Sequence, residues 1–398
     1  MDVSIRTATR DDFTRIARVD EAAFGEEVTD AHLEYSLRVI DPSRFLVACD
    51  DERIVGVCGD FPFTMTVPGG AVPVPGVTWV GVDVTHRRRG VLTALMTEQL
   101  QRFRAEGYAA AVLLASEGEI YGRFGYGAAT VARRWEIDRR RVRLTTPGDA
   151  GAVERVSADA ARRRLPELLD RWRLTTPGAL NRTDAWWDRL LDDPDWARDG
   201  MSPAFHLVHD GGYVSYRIKP DWRHDDPHHL CQIVDYVIVT AEAHRDLWHV
   251  LLGLDLVGTI ASYRVPPDDP LPYLVNNPRL LRTTGLADGM WLRPVDPLKV
   301  LASRSYAVDV DVVIEVADPL FGDVRGHLVG GPDGATCATT RAEPDVRLDV
   351  AALGSLSLGG ARVAPLAAAG RVHGEPAVLT RLDRALLSDR APVHGTSF

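Results

Sequence analysis

The run Val80-Gly81-Val82-Asp83-Val84-Thr85-His86-Arg87-Arg88-Arg89-Gly90-Val91-Leu92 constrains this chain more than any other stretch. β-Branched residues over 80–84 predict a strand, and Leu92, Leu95, Met96, Leu100 and Phe103 recur near helical spacing, predicting a helix over 91–103. A strand that turns through three arginines into a helix, with Gly90 at the helix mouth, gathers unpaired backbone N–H groups and the positive end of the helix dipole at one point. An anion can sit there without a dedicated side-chain pocket. A solvated basic turn before a surface helix is the competing reading, and charge pattern alone does not separate the two.

The downstream sequence does separate them. A second apolar run, Ala109 to Leu114, ends in Ser116-Glu117-Gly118 and is followed by Ile120-Tyr121-Gly122-Arg123-Phe124-Gly125-Tyr126-Gly127. An Arg-Arg-x-Gly-x turn after a strand, then Tyr-x-x-x-Gly-aromatic about thirty residues later, resembles the GCN5-related N-acetyltransferases (GNAT). The resemblance implies that backbone amides of Arg87, Arg88, Arg89, Gly90, Val91 and Leu92 hold the pyrophosphate of acetyl-CoA, with Val80, Gly81, Val82 and Ser116 completing the cofactor-binding set. It implies that Tyr121 stands near the CoA sulfur as general acid, and that Tyr126 packs. Leu92 departs from the family, which usually has a small residue at that end of the turn.

Length and composition suit an enzyme of several domains. The 398 residues exceed one core, and 45% hydrophobic with 26% charged residues is globular. A net charge of -10 argues against a nucleic-acid partner and favours a cationic or amine-bearing one. Cys49, Cys58, Cys231 and Cys337 have no Cys-x-x-Cys spacing, so buried thiols are expected and neither a zinc site nor a disulfide framework. His224, His228 and His229 with Asp225 and Asp226 crowd around Pro227 without ligand spacing and predict a hairpin loop, so no metal is expected. The N-terminus lacks a basic flank before an apolar core, and no stretch approaches 18 apolar residues. No membrane partner is expected, and the default location is the cytoplasm, with export by an unrecognised route left open.

Three blocks emerge along the chain. Residues 1–140 read as a catalytic GNAT domain, with strands near Val3 to Thr7, Phe45 to Ala48 and Ile54 to Cys58. Residues 141–285 repeat the order, with a helix over Ala158 to Trp172, strands at Phe205 to Val208, Tyr213 to Ile218 and Leu230 to Val239, and a helix over 241–254. No Arg-Arg-x-Gly turn opens that last helix, so a degenerate GNAT-like domain fits. Residues 286–398 open with Met290-Trp291-Leu292-Arg293, carry an alternating strand from Tyr306 to Val316, and resemble a sterol-carrier-protein-like domain, read as a packing module rather than a lipid carrier. The expected fold class is therefore α/β: two tandem GNAT folds, then a sterol-carrier-like α/β domain.

That tripartite layout resembles the Eis (enhanced intracellular survival) family of aminoglycoside and amine acetyltransferases. The resemblance covers the whole chain and implies a homo-hexamer. It also implies that the carboxylate of the terminal Phe398 reaches the active site as general base. Ser397 stands where the family often has an acid, which leaves regiospecificity open. The chemistry needs such groups in any case. An alkyl amine of pKa near ~10 is free base in only about one molecule in a thousand at neutral pH, so a proton must be taken. A terminal carboxylate of pKa roughly 3.5 is a weak base unless desolvated or relayed by water, and it also binds the ammonium. The developing oxyanion needs a donor, which the resemblance assigns to the Val82 backbone, and a phenol can protonate the departing thiolate. Phe24 and Glu26, after the first helix, are the candidates for gripping a small polycationic amine. Acetylation of protein lysines or N-termini, or non-catalytic binding of lipid or CoA, remain alternatives.

Overall fold

The computed structural model describes residues 3–25 and 27–398 and divides the chain into two compact units. The first holds the chain up to Thr130, residues 289–389 and the last two residues; the second holds Val131–Asp288 and Arg390–Thr396.

In the first unit, β1 (Ser4–Thr7), β2 (Leu46–Asp50), β3 (Arg53–Val67), β4 (Gly70–Val82), β5 (Ala110–Leu114) and β6 (Gly127–Ala128) lie in one sheet. Helix α1 (Phe13–Phe24) buries Phe13, Ile16, Ala17 and Val19 against it, α2 (Asp30–Leu37) follows, and α3 (Val91–Ala105) packs Val91 and Leu95 onto Leu46, Val55 and Cys58. The short α4 (Gly118–Tyr121) follows β5. Two expectations change here. β3 and β4 form a long hairpin through Pro68-Gly69, far beyond the segments expected from β propensity. The strand expected over 80–84 ends at Val82, because the Asp83 carboxylate accepts from the backbone and hydroxyl of Thr85 (2.9 and 2.6 Å) and starts a 3-10 turn over Val84–His86.

The second unit is built on β7 (Val131–Asp138), β8 (Glu154–Val156), β9 (Phe205–His209) and β10 (Gly212–Lys219). Next comes a two-stranded hairpin, β11 (Trp222–Arg223) and β12 (Asp226–Pro227), then β13 (His229–Ile238), β14 (Val257–Val265) and β15 (Leu281–Asp288). Its large sheet runs β15-β7-β14-β13-β10-β9-β8, with β13 and β14 parallel. Helices α5 (Ala158–Arg173), α6 (Asp184–Asp192), α7 (Ala241–Leu252) and α8 (Leu271–Leu274) pack on this frame, around a core that includes Trp135, Trp248 and Ile260. At the hairpin, His224 and Asp225 have φ of 49° and 67°, the pair of left-handed residues of a type I′ turn.

The sheets divide the chain differently from the boundaries expected at 140 and 285. β7 belongs to the second sheet, and β16 (Met290–Pro294), expected to open the last block, returns to the first sheet between β5 and β6. β6 has two residues and cannot cover β5; β16 pairs with β5 from Met290↔Leu114 to Pro294↔Ala110 and buries Met290 and Leu292. The chain then forms α9 (Pro297–Ala302), β17 (Val310–Ala317), β18 (Val324–Gly331), β19 (Gly334–Thr339), β20 (Val346–Asp349), α10 (Val350–Leu356), α11 (Val363–Ala368), β21 (Val372–Gly374) and α12 (Pro376–Leu386). Its five strands run β19-β18-β17-β20-β21, and Tyr306, Val312, Ile314, Leu328, Leu353 and Leu382 are among the side chains that fill its core. Cys49, Cys58 and Cys231 are buried, whereas Cys337 is only half-buried. No helix among the described residues is long and apolar enough to cross a membrane.

Candidate active site

β4 and β5 run parallel for only two pairs, Gly76↔Val112 and Val77↔Leu113. Sequence limits the seam on both sides. Pro73 and Pro75 have no N–H to give the β3 ladder, so they turn their nitrogens to the other edge and leave it without donors. Beyond Val77 a bulge sets Trp79 and Val80 opposite Cys58, with Trp79 at φ 51°, held by edge-on contacts to Phe13 and Phe45. From Thr78 to Val82 the β5-facing edge of β4 therefore has no strand partner. Val80 and Val82 are half-buried there, and Gly81 is buried beneath α1, where a Cβ would stand 3.3 Å from that of Ala23.

The arginine turn follows. Arg88 has φ 60° and Gly90 φ 83°, with no side-chain cap at Gly90, so the first N–H groups of α3, at Val91 and Leu92, have no intrahelical acceptor. A Cβ at Gly90 would meet nothing within 4 Å; its backbone angle, not crowding, calls for glycine. The approach is braced by buried His86, which bonds Asp50 (3.1 Å) and Thr85 Oγ1 (2.8 Å). Burial alone would raise the pKa of Asp83, but bonds from Thr85 and Arg53 outweigh it and lower it. The guanidinium of Arg87 donates to the Ala23 carbonyl (3.2 Å), tying the turn to the end of α1, so its side chain is engaged there. Arg88 and Arg89 are exposed, and Leu92 is half-buried.

Tyr121 closes α4, packs in one cluster with Val77 and Leu113, the last pair of the seam, and meets the Tyr126 ring edge-on at 6.1 Å. Burial raises its phenol above 10.0, partly offset by the side chain of exposed Ser116. Tyr126 is fully buried and its hydroxyl has no partner among the described residues, in keeping with a packing role. The ring of Phe398 lies 5.0 Å from that of Phe63 and against Gly76, so the last residue of the chain reaches the base of the same seam. Phe63 and Gly76 were not singled out in the sequence; only the Pro-Val-Pro-Gly run over 73–76 hinted that this edge is special. Phe24 is exposed at the end of α1, before Gly25 at φ 72°; Glu26 lies outside the described residues. Among the described residues no group of three or more metal-ligating side chains gathers.

A parallel seam that opens, a left-handed turn at the following helix and a tyrosine after the next strand define an acetyltransferase of the GNAT class. Residues 4–129 match a model of the acetyltransferase (GNAT) domain, 178–294 a second such model, and 298–395 a sterol carrier protein domain. The N-acetyltransferase Eis of Mycobacterium tuberculosis (strain ATCC 25177 / H37Ra) is 36% identical over 405 residues, covering 98% of each chain. An uncharacterized N-acetyltransferase of Streptomyces avermitilis is 35% identical over 375 residues, 91% of this chain and 90% of that one. The crystal structure of Eis1 from Mycobacterium abscessus superposes with a TM-score of 0.88 at 35% identity, covering 99% of this chain and all of the other. The chain belongs to the Eis family of GNAT N-acetyltransferases, and it is an N-acetyltransferase enzyme.

Proposed function

We propose that the first unit moves an acetyl group directly from acetyl-CoA onto a primary amine of a small polycationic acceptor such as an aminoglycoside. One observation carries the reading: Tyr121 and Phe398 both converge on the Gly76–Val77 end of the β4/β5 seam, where β4 begins to present an unpaired backbone edge. The turn fits the cofactor, since the first N–H groups of α3 have no intrahelical acceptor or side-chain cap and a Cβ at Gly90 would meet open space. Val80, Gly81 and Val82 with the turn from Arg87 to Leu92 would hold acetyl-CoA, which supplies an activated thioester when bound. The carboxylate of Phe398 binds the acceptor's ammonium and accepts its proton, directly or through water. The Val82 N–H stabilises the acetyl oxygen as it gathers charge, and the protonated phenol of Tyr121 gives its proton to the departing sulfur. Phe24 and Glu26 are assigned the grip on the acceptor, whose positive charge suits a chain of net charge -10. Homo-hexameric assembly belongs to the same proposal and rests on the family resemblance.

Free-thiol release with aminoglycosides, polyamines and lysine peptides, in wild type, Tyr121→Phe and a chain lacking Phe398, tests this. Turnover that prefers polycationic acceptors and collapses in both variants supports it. Turnover surviving both changes would remove the assigned roles, and a preference for peptides would replace the acceptor class.

A further inference from the structure

In the second unit, β13 and β14 run parallel from His229↔Val257 to Ile233↔Ser262 and then part. A bulge at Tyr263-Arg264, between the pairs Ser262↔Trp135 and Val265↔Arg133, bends β14 away and re-aims those two side chains. A cavity of about 530 Å³ opens at the parting, lined by residues of this unit alone, with Trp172, Tyr236 and Tyr263 among its walls. That is the volume of a small-molecule site.

The charges around the cavity are unequally engaged. Asp235 is gripped by buried Arg182 (2.6 and 3.1 Å) and by the Tyr213 hydroxyl (2.9 Å). Asp269 accepts from the Tyr236 hydroxyl (3.2 Å) and the Leu271 N–H (2.9 Å) and sits 3.2 Å from His244 Nε2. Asp268 accepts from the Ala391 N–H (2.8 Å). Arg264, by contrast, makes no hydrogen bond or ion pair among the described residues, although it lines the cavity. Its side chain is open to solvent, and the surrounding protein lowers its pKa, by desolvation and by Arg182, with Asp235 opposing. Two further atoms of cavity-lining residues, Gln232 Oε1 and His244 Nδ1, are buried without a partner. Arg264 is an accessible guanidinium without an ion-pair partner, and it stands beside apolar rings and two buried polar atoms of a kind ordinarily satisfied, which makes an unfilled recognition set.

We propose that this cleft binds a small monocarboxylate with an aromatic or aliphatic body, the carboxylate on Arg264 and the body against Trp172, Tyr236 and Tyr263. The planar guanidinium fork matches a carboxylate in two hydrogen bonds. Arg264, and Arg390, which bonds Thr175 Oγ1 (3.2 Å), stand against three aspartates on this lining, a balance that favours a single negative charge over the double charge of a phosphate monoester. Ala391, Val393 and Gly395 form part of the wall, so the occupant also touches the segment that runs on to Phe398.

Calorimetric titration of the full chain, saturated with CoA to block the first site, tests this with 2-naphthoate, octanoate, 2-naphthamide and 2-naphthyl phosphate. Saturable binding of one carboxylate per chain is expected, weakened at least about tenfold by the amide, by the phosphate and by Arg264→Met. Val234→Trp, which narrows the cavity from a partly exposed position, weakens it as well, and retained acetyl transfer shows that each variant is folded. Absence of saturable carboxylate binding at millimolar concentration, equal binding of the amide, or affinity unchanged in Arg264→Met overturns the proposal. Tighter binding of the phosphate overturns the choice of a monocarboxylate.

Discussion

Gly76→Ala isolates the contact on which the proposed base depends. A Cβ at Gly76 would stand 2.9 Å from the Phe398 ring and 2.7 Å from that of Phe63. Ordinary carbon contacts begin near ~3.5 Å, so the rings must retreat by about 0.6 Å or more. Crowding of this kind costs about 1–3 kcal/mol of stability, a fall of a few degrees in Tm, and leaves the unit folded at 25 °C. A catalytic group misplaced by about 1 Å loses on the order of 10²-fold in rate, so kcat should drop about 10- to 100-fold while KM for acetyl-CoA is held. The companion variant appends one alanine after Phe398. It keeps the ring in place but moves the carboxylate about 3.5 Å along the chain, and should lower kcat at least as much with no change in Tm. Steady-state thiol release at saturating acetyl-CoA and amine, with Tm measured in parallel, separates packing from chemistry. Wild-type kcat in the appended chain would refute the terminal carboxylate as base, and wild-type kcat in Gly76→Ala would refute the ring as its anchor.

Other consequences are as direct. Burial raises the Tyr121 phenol above 10.0, so it stays a proton donor through that pH; any alkaline fall of kcat due to Tyr121 begins above it and vanishes from the residual rate of Tyr121→Phe, itself lower by about 10²- to 10⁴-fold. Burial lowers the pKa of His394 from 6.5 to about 3, with Arg264 adding, so the imidazole is neutral when folded and its contribution is complete above 6.5. That contribution is lost as pH falls from 6.5 toward 3, by about 2 kcal/mol at pH ~5, and amide exchange over residues 391–396 should quicken across that window but not in His394→Leu. Asp318 holds fully buried Arg293 in two bonds of 2.8 and 2.9 Å; Asp318→Ala strands the guanidinium and should cost about 3–5 kcal/mol in denaturant unfolding of the first unit.

What the sequence made legible was local. The strand, turn and helix around Arg87 to Leu92 follow from patterns within a dozen residues, apart from the strand's early end at Val82, while the readings of Tyr121 and Tyr126 rest on the family resemblance. The exchange of β7 and β16 between sheets was not legible, because Met290-Trp291-Leu292-Arg293 reads equally well as an edge strand of either neighbour. Only the two-residue length of β6 decides where it pairs. The long β3/β4 hairpin was hidden by prolines at 62, 73 and 75, which lower strand propensity yet are tolerated where no ladder donor is needed. The contact of Phe398 with Gly76 spans more than three hundred residues, and no periodicity reports it. The place of Arg264 on a cavity lining was equally silent, since an exposed arginine in an alternating strand reads simply as solvated.

The two GNAT-like sheets also differ in a way that sets how many cofactors a chain can take. At α3 the turn is left-handed at Arg88 and Gly90 and no side chain caps the helix, so N–H groups are free for a diphosphate. At α7 the corresponding position is Thr240, in extended conformation, whose hydroxyl accepts the Ala243 N–H (3.2 Å) and whose own N–H is spent on the Gly211 carbonyl. Glu242 in that first turn has a lowered pKa, from bonds with its own backbone and Thr240, and its charge repels an anion. CoA should therefore bind once per chain, and a calorimetric stoichiometry of two would refute this. Gly90→Ala adds no clash but strains a left-handed residue by about 1–2 kcal/mol, and if the turn is the diphosphate site CoA affinity should fall about 5- to 30-fold. Unchanged affinity would mean that the diphosphate is held elsewhere, whatever the stoichiometry.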